Sequence, residues 1–322
     1  MRICMLSKTP LVGAPARLAN ALIGIGENVD LFTFEEYPNH LRGLFDKGRI
    51  ISDIWELNHS KYDIAWVHNS IPDNQWKKFH EAFKNKPKFI QFHSGTHEPP
   101  LGYLKIENEP YSLFDFKLVV GQAWARMYPD ATLIPNICNI LRPQQRSMRT
   151  NLDILYSPSH SKGGRFGFKD SEHIKRLLLN NKEILANLGA KSIKIEILNR
   201  PYAQNDLLDL RTQFHVSIDE TYTGGFHQVS IEAMCTGGVC VNGADIFSQL
   251  AFTNAIEANR LPPFITVENT ENLGYLLREM VLSEELLPQK ISESRIFCED
   301  FLQPSRLAKI VRNRIKGLCD AN

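Results

Sequence analysis

The 322-residue sequence lacks the marks of several protein classes. It contains no run of about 18 apolar residues, so we expect no membrane-spanning helix. Its six cysteines form no CxxC pair and mostly stand in apolar surroundings, which favours buried free thiols over disulfides or a zinc site. The net charge is only +1, so no global field holds nucleic acid or an anionic membrane.

Signatures of catalysis and cofactor binding are also missing. There is no GxSxG nucleophile elbow and no GxGxxG dinucleotide loop. His93 and His97 have the spacing of metal ligands on a helix, but Gly95 lies between them and Pro99 follows, so no helix is expected there. We therefore expect no metal and no resident cofactor. Free thiols and the polar Ser7 after a short apolar start predict a cytoplasmic protein, at most peripheral to the membrane.

The first half of the chain alternates short apolar runs with helical patterns. Hydrophobic residues make up 43% and charged residues 23%, as in soluble globular proteins. Continuous apolar runs are typical of parallel strands that are covered on both faces. The predicted strands are 3–6, 29–34, 63–68, 89–93, 116–120 and 131–134, and a helix is predicted over 15–25.

The alternation stops at a polar, basic stretch over 142–150 and then restarts. We predict an α/β fold of the GT-B type, with two doubly wound Rossmann-like lobes over 1–140 and 141–303 facing each other across a cleft. A closing helix over 304–322 is expected to return toward the first lobe. The predicted strands of the second half are 153–156, 193–198, 214–218, 239–241 and 265–267, and the helices are 172–188, 228–235, 272–282 and 304–318.

The segment 214–242 carries a family resemblance. Glu232-Ala233-Met234-Cys235-Thr236-Gly237 followed by an apolar strand is similar to the E-A-M-x-x-G motif of retaining family four glycosyltransferases. That family has a first acidic residue eight positions earlier, where this chain has Gly224. It also has an arginine five residues before the lysine of a Lys-Gly turn, where this chain has Ser157 before Lys162. Weaker similarities to the same family, in the order expected along the chain, lie at 93–95, 134–136 and 294–301.

The resemblance implies transfer of a sugar from a nucleotide-sugar to a hydroxyl acceptor, with retention of configuration. Glu232 would hold the ribose hydroxyls, or alternatively only stabilise a helix N-terminus. Lys162 and Arg165 would stabilise the departing diphosphate without a metal, or alternatively belong to a solvated basic loop. The nucleotide-sugar would bind on the second lobe and the acceptor on the first.

Further contacts to the donor are expected around two glycine turns. Gly224 and Gly225 precede a helix, whose free N–H groups attract phosphate. Phe226 and His227 follow them, and we expect a side chain near the donor. Gly13 opens the first predicted helix and would pass under the donor phosphates, or simply form a helix start. His93 ends an apolar strand, where it would contact the donor sugar or line the acceptor site; a turn residue is the alternative reading.

Two other functions stay open. The departures at Gly224 and Ser157 are compatible with a catalytically silent module that binds nucleotide-sugar. A phage-type enzyme of this fold would instead act on modified bases of DNA, with Arg142, Arg146 and Arg149 at phosphates, although the low net charge argues against a large DNA footprint. Saccharide or lipid-linked acceptors fit the family resemblance better.

Overall fold

The computed structural model describes residues 1–35, 48–93, 111–122, 125–126, 128–141, 151–158, 168–188, 192–199 and 202–321. The strands are β1 Arg2–Ser7, β2 Asn28–Thr33, β3 Gly48–Ile50, β4 Ile64–His68, β5 Lys88–Phe92, β6 Phe116–Val120, β7 Thr132–Ile134, β8 Asn151–Tyr156, β9 Ser192–Ile197, β10 Val216–Ile218, β11 Val239–Asn242 and β12 Ile265–Thr266. The α-helices are α1 Ala14–Gly24, α2 Trp76–Ala82, α3 Phe168–Leu188, α4 Gln204–Arg211, α5 Gln228–Cys235, α6 Ile246–Ala255, α7 Asn272–Leu282, α8 Leu286–Phe301 and α9 Pro304–Asp320.

The chain divides into two compact units. The N-terminal unit comprises Met1–Ile137, Asn254–Glu257 and Pro304–Asn322. The C-terminal unit comprises Cys138–Thr253 and Ala258–Gln303. The last helix therefore belongs to the same unit as the first strands.

The N-terminal unit is built on a parallel sheet with the strand order β3-β2-β1-β4-β5-β6-β7. Strands β1, β4 and β5 are buried almost throughout, as their continuous apolar sequences require. Helix α1 follows its N-cap residue Gly13, whose φ of 74° is left-handed, and has proline in its first turn. Helix α9 turns Leu307, Val311 and Ile315 inward at helical spacing and packs on α1.

The C-terminal unit has a parallel sheet in the order β12-β11-β10-β8-β9. The central strands β8, β10 and β11 contribute fully buried apolar side chains to its core, among them Ile154, Ile218 and Val241. Helices α3 and α7 cover one face, where Leu178 and Leu277 belong to the same core cluster. Both sheets are doubly wound, and each reverses its direction of winding once, beside β1 in the first and beside β8 in the second.

The predicted fold class of two doubly wound α/β units is confirmed. Every predicted strand is present within a few residues of its predicted ends. The sequence analysis missed the edge strand Gly48–Ile50 and the helices Trp76–Ala82, Gln204–Arg211 and Ile246–Ala255, and for the helix Leu286–Phe301 it noted only a family match over 294–301. No helix within the described part of the chain is both long and apolar enough to cross a bilayer.

Candidate functional site

Each sheet has one position where ligands are expected. In doubly wound sheets ligands bind outside the carboxyl ends of the strands, at the point where the strand order reverses. In the N-terminal unit this point lies between β1 and β4, which end at Ser7 and His68. In the C-terminal unit it lies between β8 and β10, which are followed by Ser157 and Asp219.

Asp219 fixes the start of helix α5. Its carboxylate accepts hydrogen bonds from the backbone N–H of His227 at 2.7 Å and from the Ser230 hydroxyl at 2.7 Å, and it lies 3.2 Å from Nδ1 of His227. Burial alone would raise the pKa of Asp219, but the His227 ring and these hydrogen bonds outweigh burial and lower it. The carboxylate thus acts as a distant cap for the first turn of the helix.

Glu220 stabilises the turn between β10 and α5, of which it is itself a part. Its carboxylate accepts hydrogen bonds from the backbone N–H groups of Tyr222 at 3.0 Å, Thr223 at 2.8 Å and Gly225 at 3.2 Å, and from the Thr223 hydroxyl. Burial raises the pKa of Glu220 above its usual value. Converging N–H groups of this kind bind anions, and here the bound anion is a side chain of the same turn.

Gly224 has a conformation and surroundings that favour glycine. Its φ is 73°, and a Cβ atom would lie 2.9 Å from Oδ2 of Asp245. Its carbonyl accepts hydrogen bonds from the Asp245 N–H at 2.9 Å and the Ser248 hydroxyl at 2.8 Å, at the start of α6. The position that carries the first acid in the resembling family is therefore a tightly held turn in this chain.

Four of the predicted donor contacts lie in or beside this turn. The Gly225 N–H, one of the proposed phosphate ligands, already donates to Glu220. Phe226 is fully buried against Phe252 and Phe264, so only its backbone is within reach of a ligand. The ring of His227 is partly exposed beside Asp219. The donor roles of Gly224, Gly225, Phe226 and His227 stay predictions.

Glu232 lies on α5 with protein partners on both carboxylate oxygens. Oε2 accepts a hydrogen bond from Nε of Arg211 at 3.2 Å, and Oε1 accepts one from Nε2 of Gln204 at 3.2 Å. The side chains of Arg211 and Glu232 are 0% and 6% exposed. Ribose binding by Glu232, which stays a prediction, would have to share or displace these contacts.

Arg211, which the sequence reading did not single out, connects three elements of this site. Its guanidinium donates to Glu232 on α5, to the Ser217 hydroxyl on β10 at 3.3 Å and to the Ser157 hydroxyl after β8 at 2.7 Å. Ser157 occupies the position at which the resembling family has arginine. The absence of arginine at position 157 was the sign in the sequence that a cation from another element reaches the end of β8.

In the N-terminal unit two histidine rings meet at the ends of neighbouring strands. Nδ1 of His68 lies 3.0 Å from Nε2 of His93, and both side chains are buried. The ring of His68 also stacks on Trp66 at a centroid distance of 5.4 Å and an interplanar angle of 8°. The main chain of His93 is held by its N–H, which donates to Oδ1 of Asn69 at 2.8 Å.

Burial keeps both rings of this pair neutral. It lowers the pKa of His68 well below its ordinary value, and it lowers the pKa of His93 to about 3, with a further contribution from the charge of Arg17. The buried Arg17 donates from Nε to the Ile137 carbonyl at 2.7 Å. A neutral imidazole of such low basicity binds hydrogen-bonding partners but is a poor proton acceptor near pH 7.

A row of buried polar side chains continues from this pair across the sheet. Thr33, Ser7, His68 and Gln91 are register neighbours on β2, β1, β4 and β5, and all are buried. Neighbours in register point to the same face of a sheet. Buried polar side chains therefore line the carboxyl end of this sheet at its reversal point.

The other predicted residues contribute less to the described site. Gly13 is the N-cap residue of α1 in a left-handed conformation, as the helix-start alternative predicts, and its donor role stays a prediction. Lys162 and Arg165 lie outside the described residues, as do the basic stretch 142–150 and His97. Within the described residues, no cluster of three or more His, Cys, Asp and Glu side chains is arranged to hold a metal ion.

Comparison with known proteins places the chain by its fold. No protein-family model matches it, and no curated protein does. Among solved structures, sucrose-phosphate synthase from Thermosynechococcus elongatus is similar, with a TM-score of 0.62 at 14% identity over 100% of both chains. The β-glucosyltransferase of T4 phage has a TM-score of 0.51 at 12% identity over 99% of each chain. WaaG, a glycosyltransferase involved in lipopolysaccharide biosynthesis, has a TM-score of 0.52 at 12% identity, covering 96% of this chain and 99% of its own.

These likenesses establish a fold and nothing finer. The two parallel sheets, of seven and five strands, are those of the GT-B glycosyltransferases. The predicted GT-B fold is thereby confirmed.

Proposed function

We propose that the chain is a glycosyltransferase that moves a sugar from a nucleotide-sugar to a hydroxyl acceptor. The observation that carries the proposal is the correspondence of the whole chain, over 96–100% of its length, to solved glycosyltransferases of this fold. Polar residues at the reversal point of each sheet support it, because burying polar groups costs free energy and such groups are typical of ligand-binding sites.

The nucleotide-sugar is proposed to bind on the C-terminal unit. The turn over 224–227 after β10 and the N-terminus of α5 lie at the carboxyl end of this sheet, and Ser157 follows β8 at the same end. The N–H groups of Gly225 and His227 would have to be shared with, or released by, Glu220 and Asp219. The partly buried Ser157 oxygen accepts a hydrogen bond from Arg211, which leaves the hydroxyl proton to be donated to an anionic ligand. Lys162 and Arg165 follow Ser157 in sequence and would neutralise the diphosphate in place of a metal.

The acceptor is proposed to bind on the N-terminal unit, with His93 as a ligand of a hydroxyl group. The buried polar row supports this, because hydroxyl-bearing molecules need hydrogen-bonding groups that apolar strand ends lack. Saccharide and lipid-linked acceptors are proposed first. The fold is also shared with a DNA-modifying β-glucosyltransferase, so modified DNA is kept as an acceptor class to be tested. Retention of configuration, as in family four, is part of the proposal.

The test is binding followed by turnover. The purified chain is screened by thermal shift against nucleoside diphosphates and nucleotide-sugars, and the best donors are then incubated with saccharide, lipid-linked and modified-DNA acceptors. We expect a rise in melting temperature with one nucleotide class, because a ligand of the folded state alone stabilises it. No shift with any nucleotide and no release of nucleoside diphosphate would refute the proposal.

A second candidate is a silent module that binds nucleotide-sugar without turnover. It is favoured by the carboxylates of Glu220 and Glu232, which both have protein partners. Tight donor binding with no transfer and no donor hydrolysis in any acceptor class would select it. Labelled sugar in any product would exclude it.

A further inference from the structure

The contact between His68 and His93 restricts where protons lie on both rings. The two nitrogens, Nδ1 of His68 and Nε2 of His93, are 3.0 Å apart. At this distance one nitrogen carries a proton and the other accepts it. Because burial keeps both rings neutral, each ring has one proton, and the contact holds one of the two.

Only two arrangements satisfy these conditions. In the first, His93 donates from Nε2, so its Nδ1 is bare and His68 carries its own proton on Nε2. In the second, His68 donates from Nδ1, so Nε2 of His68 is bare and His93 carries its proton on Nδ1. The state of His68 therefore decides whether His93 is a donor or an acceptor at Nδ1.

The surroundings of His68 favour the second arrangement. Its Nε2 is buried and has no hydrogen-bond partner in the described part of the chain. A buried N–H without an acceptor is rarer than an unpartnered acceptor, so Nε2 is better left bare. Stacking on Trp66 and the burial of both rings hold His68 in the plane that aims Nδ1 at His93.

We propose that His68 is a positioning residue that holds His93 as the tautomer protonated on Nδ1. Since the His68 contact takes up Nε2, any hydrogen bond that His93 gives to a ligand comes from Nδ1. His93 is then a neutral donor to an oxygen of the substrate rather than a base that removes its proton. The substrate part of this statement rests on the proposed function, whereas the tautomer does not.

The tautomer is measured by long-range ¹H–¹⁵N correlation spectra of the ¹⁵N-histidine-labelled full chain. We expect Nδ1 protonated and Nε2 bare in both His68 and His93. His215 is an internal reference for a ring whose Nδ1 accepts a hydrogen bond, because that nitrogen receives the backbone N–H of Asp153 at 3.0 Å. A proton on Nε2 of His93 in the wild type would overturn the proposal.

Two substitutions of His68 separate positioning from packing. His68→Phe keeps a ring to stack on Trp66 but removes the donor, so His93 should lose its single tautomer. His68→Asn places an amide N–H where Nδ1 was and should restore it. An unchanged His93 tautomer in a folded His68→Phe variant contradicts the proposal. If that variant does not fold, the wild-type and His68→Asn spectra still decide the matter.

Turnover gives a second readout once a donor is known. We expect His68→Phe to lower kcat by about tenfold with little change in donor KM, less than the about 100-fold cost of losing a donor at a reaction site, and His68→Asn to recover most of it. Absence of any transfer in the wild type, with the expected spectra, would refute the proposed function while the tautomer assignment stood. Equal kcat in wild type and His68→Phe would refute positioning.

Discussion

Arg211 and Glu232 form a buried ion pair that holds helix α5 against helix α4. Their atoms Nε and Oε2 are 3.2 Å apart, and neither side chain has more than 6% of its surface exposed. The same guanidinium donates to Ser157, which follows β8, and to Ser217, which lies within β10. One cation thus joins two helices and two strands around the predicted donor site.

The first prediction concerns the stability of this pair. Arg211→Met leaves the Glu232 carboxylate buried without its cation and should lower the free energy of unfolding by about 3–5 kcal/mol. Chemical denaturation measures the change. Glu196→Gln breaks the more exposed pair with Lys194 in the same unit and should change stability by no more than about 1 kcal/mol. Equal effects of the two variants would show that the buried pair is no more important than the exposed one.

The second prediction tests whether Glu232 also binds ribose. If it does, Glu232→Gln should weaken binding of a nucleoside diphosphate by roughly 10- to 150-fold, because charge-assisted hydrogen bonds contribute about 1.5–3 kcal/mol. The loss should shrink for a 2′,3′-dideoxy nucleotide, which offers no hydroxyls to the carboxylate. Calorimetry on variants with an intact circular dichroism spectrum measures both. The same loss for both nucleotides would assign Glu232 to the Arg211 pair alone.

The third prediction concerns Gly224. Gly224→Ala should lower the free energy of unfolding by about 1–2 kcal/mol, because the left-handed conformation places Cβ against the backbone and Asp245 lies 2.9 Å away. Gly317→Ala is the matched control, since no atom lies within 4 Å of its Cβ position on the exposed face of α9. It should be neutral or stabilise by up to about 1 kcal/mol. A destabilising effect of similar size at both positions would contradict the turn described for Gly224.

Gly224→Glu, which places the acid of the resembling family at this position, should lower the free energy of unfolding as Gly224→Ala does. It is therefore a poor test of sugar preference, because loss of the turn would mask any gain from the carboxylate.

The fourth prediction follows from the lowered pKa of Asp219. A carboxyl group whose pKa is lower in the folded than in the unfolded chain stabilises the fold above its unfolded pKa, and this stability is lost as the pH falls through the folded pKa. Asp219→Asn should therefore be less stable than wild type at pH 7, and the difference should shrink below about pH 4. Urea unfolding at pH 7, 5 and 3.5 measures it.

Asp206→Asn is the control for this pH series. Asp206 is an exposed carboxylate on α4 of the same unit, and its substitution should stay within about 0.5 kcal/mol of wild type. A wild-type advantage over Asp219→Asn that is constant from pH 7 to 3.5 would show that the charge of Asp219 is not what stabilises the start of α5.

The fifth prediction concerns the metal. Turnover should persist in EDTA, because Lys162 and Arg165 are proposed to carry the charge stabilisation. Lys162→Ala should lower kcat while leaving the affinity for a bare nucleoside unchanged, since the nucleoside has no phosphates. Loss of turnover in EDTA that magnesium or manganese restores would refute the cation model.

The fold was largely predictable from the sequence. Strands such as Ile64–His68 are built on short apolar runs, and helices such as Asn272–Leu282 show one apolar stripe. The missed strand Gly48–Ile50 has three residues at a sheet edge, two of them exposed, so burial leaves no pattern in its sequence. Helix Gln204–Arg211 begins with polar residues and has no distinct stripe.

The site was less predictable because its contacts are not local. The sequence points to Glu232 but not to Arg211, which lies 21 residues earlier. It places His68 and His93 at the ends of two strands of one sheet, but it does not show that rings 25 residues apart are in contact. A departure from a family pattern at Ser157 indicates that a cation is missing there. It does not indicate that Arg211 approaches the same place from another helix.

The contact between Arg211 and Ser157 has a consequence for the evolution of this chain. Arginine at position 157 would bring a second guanidinium to a place where Arg211 already pairs with the carboxylate of Glu232. Arginine at position 157, as in the resembling family, is therefore acceptable only after position 211 has lost its charge. Among descendants of this sequence, positions 157 and 211 should change together, with one arginine shared between them in every lineage that keeps Glu232.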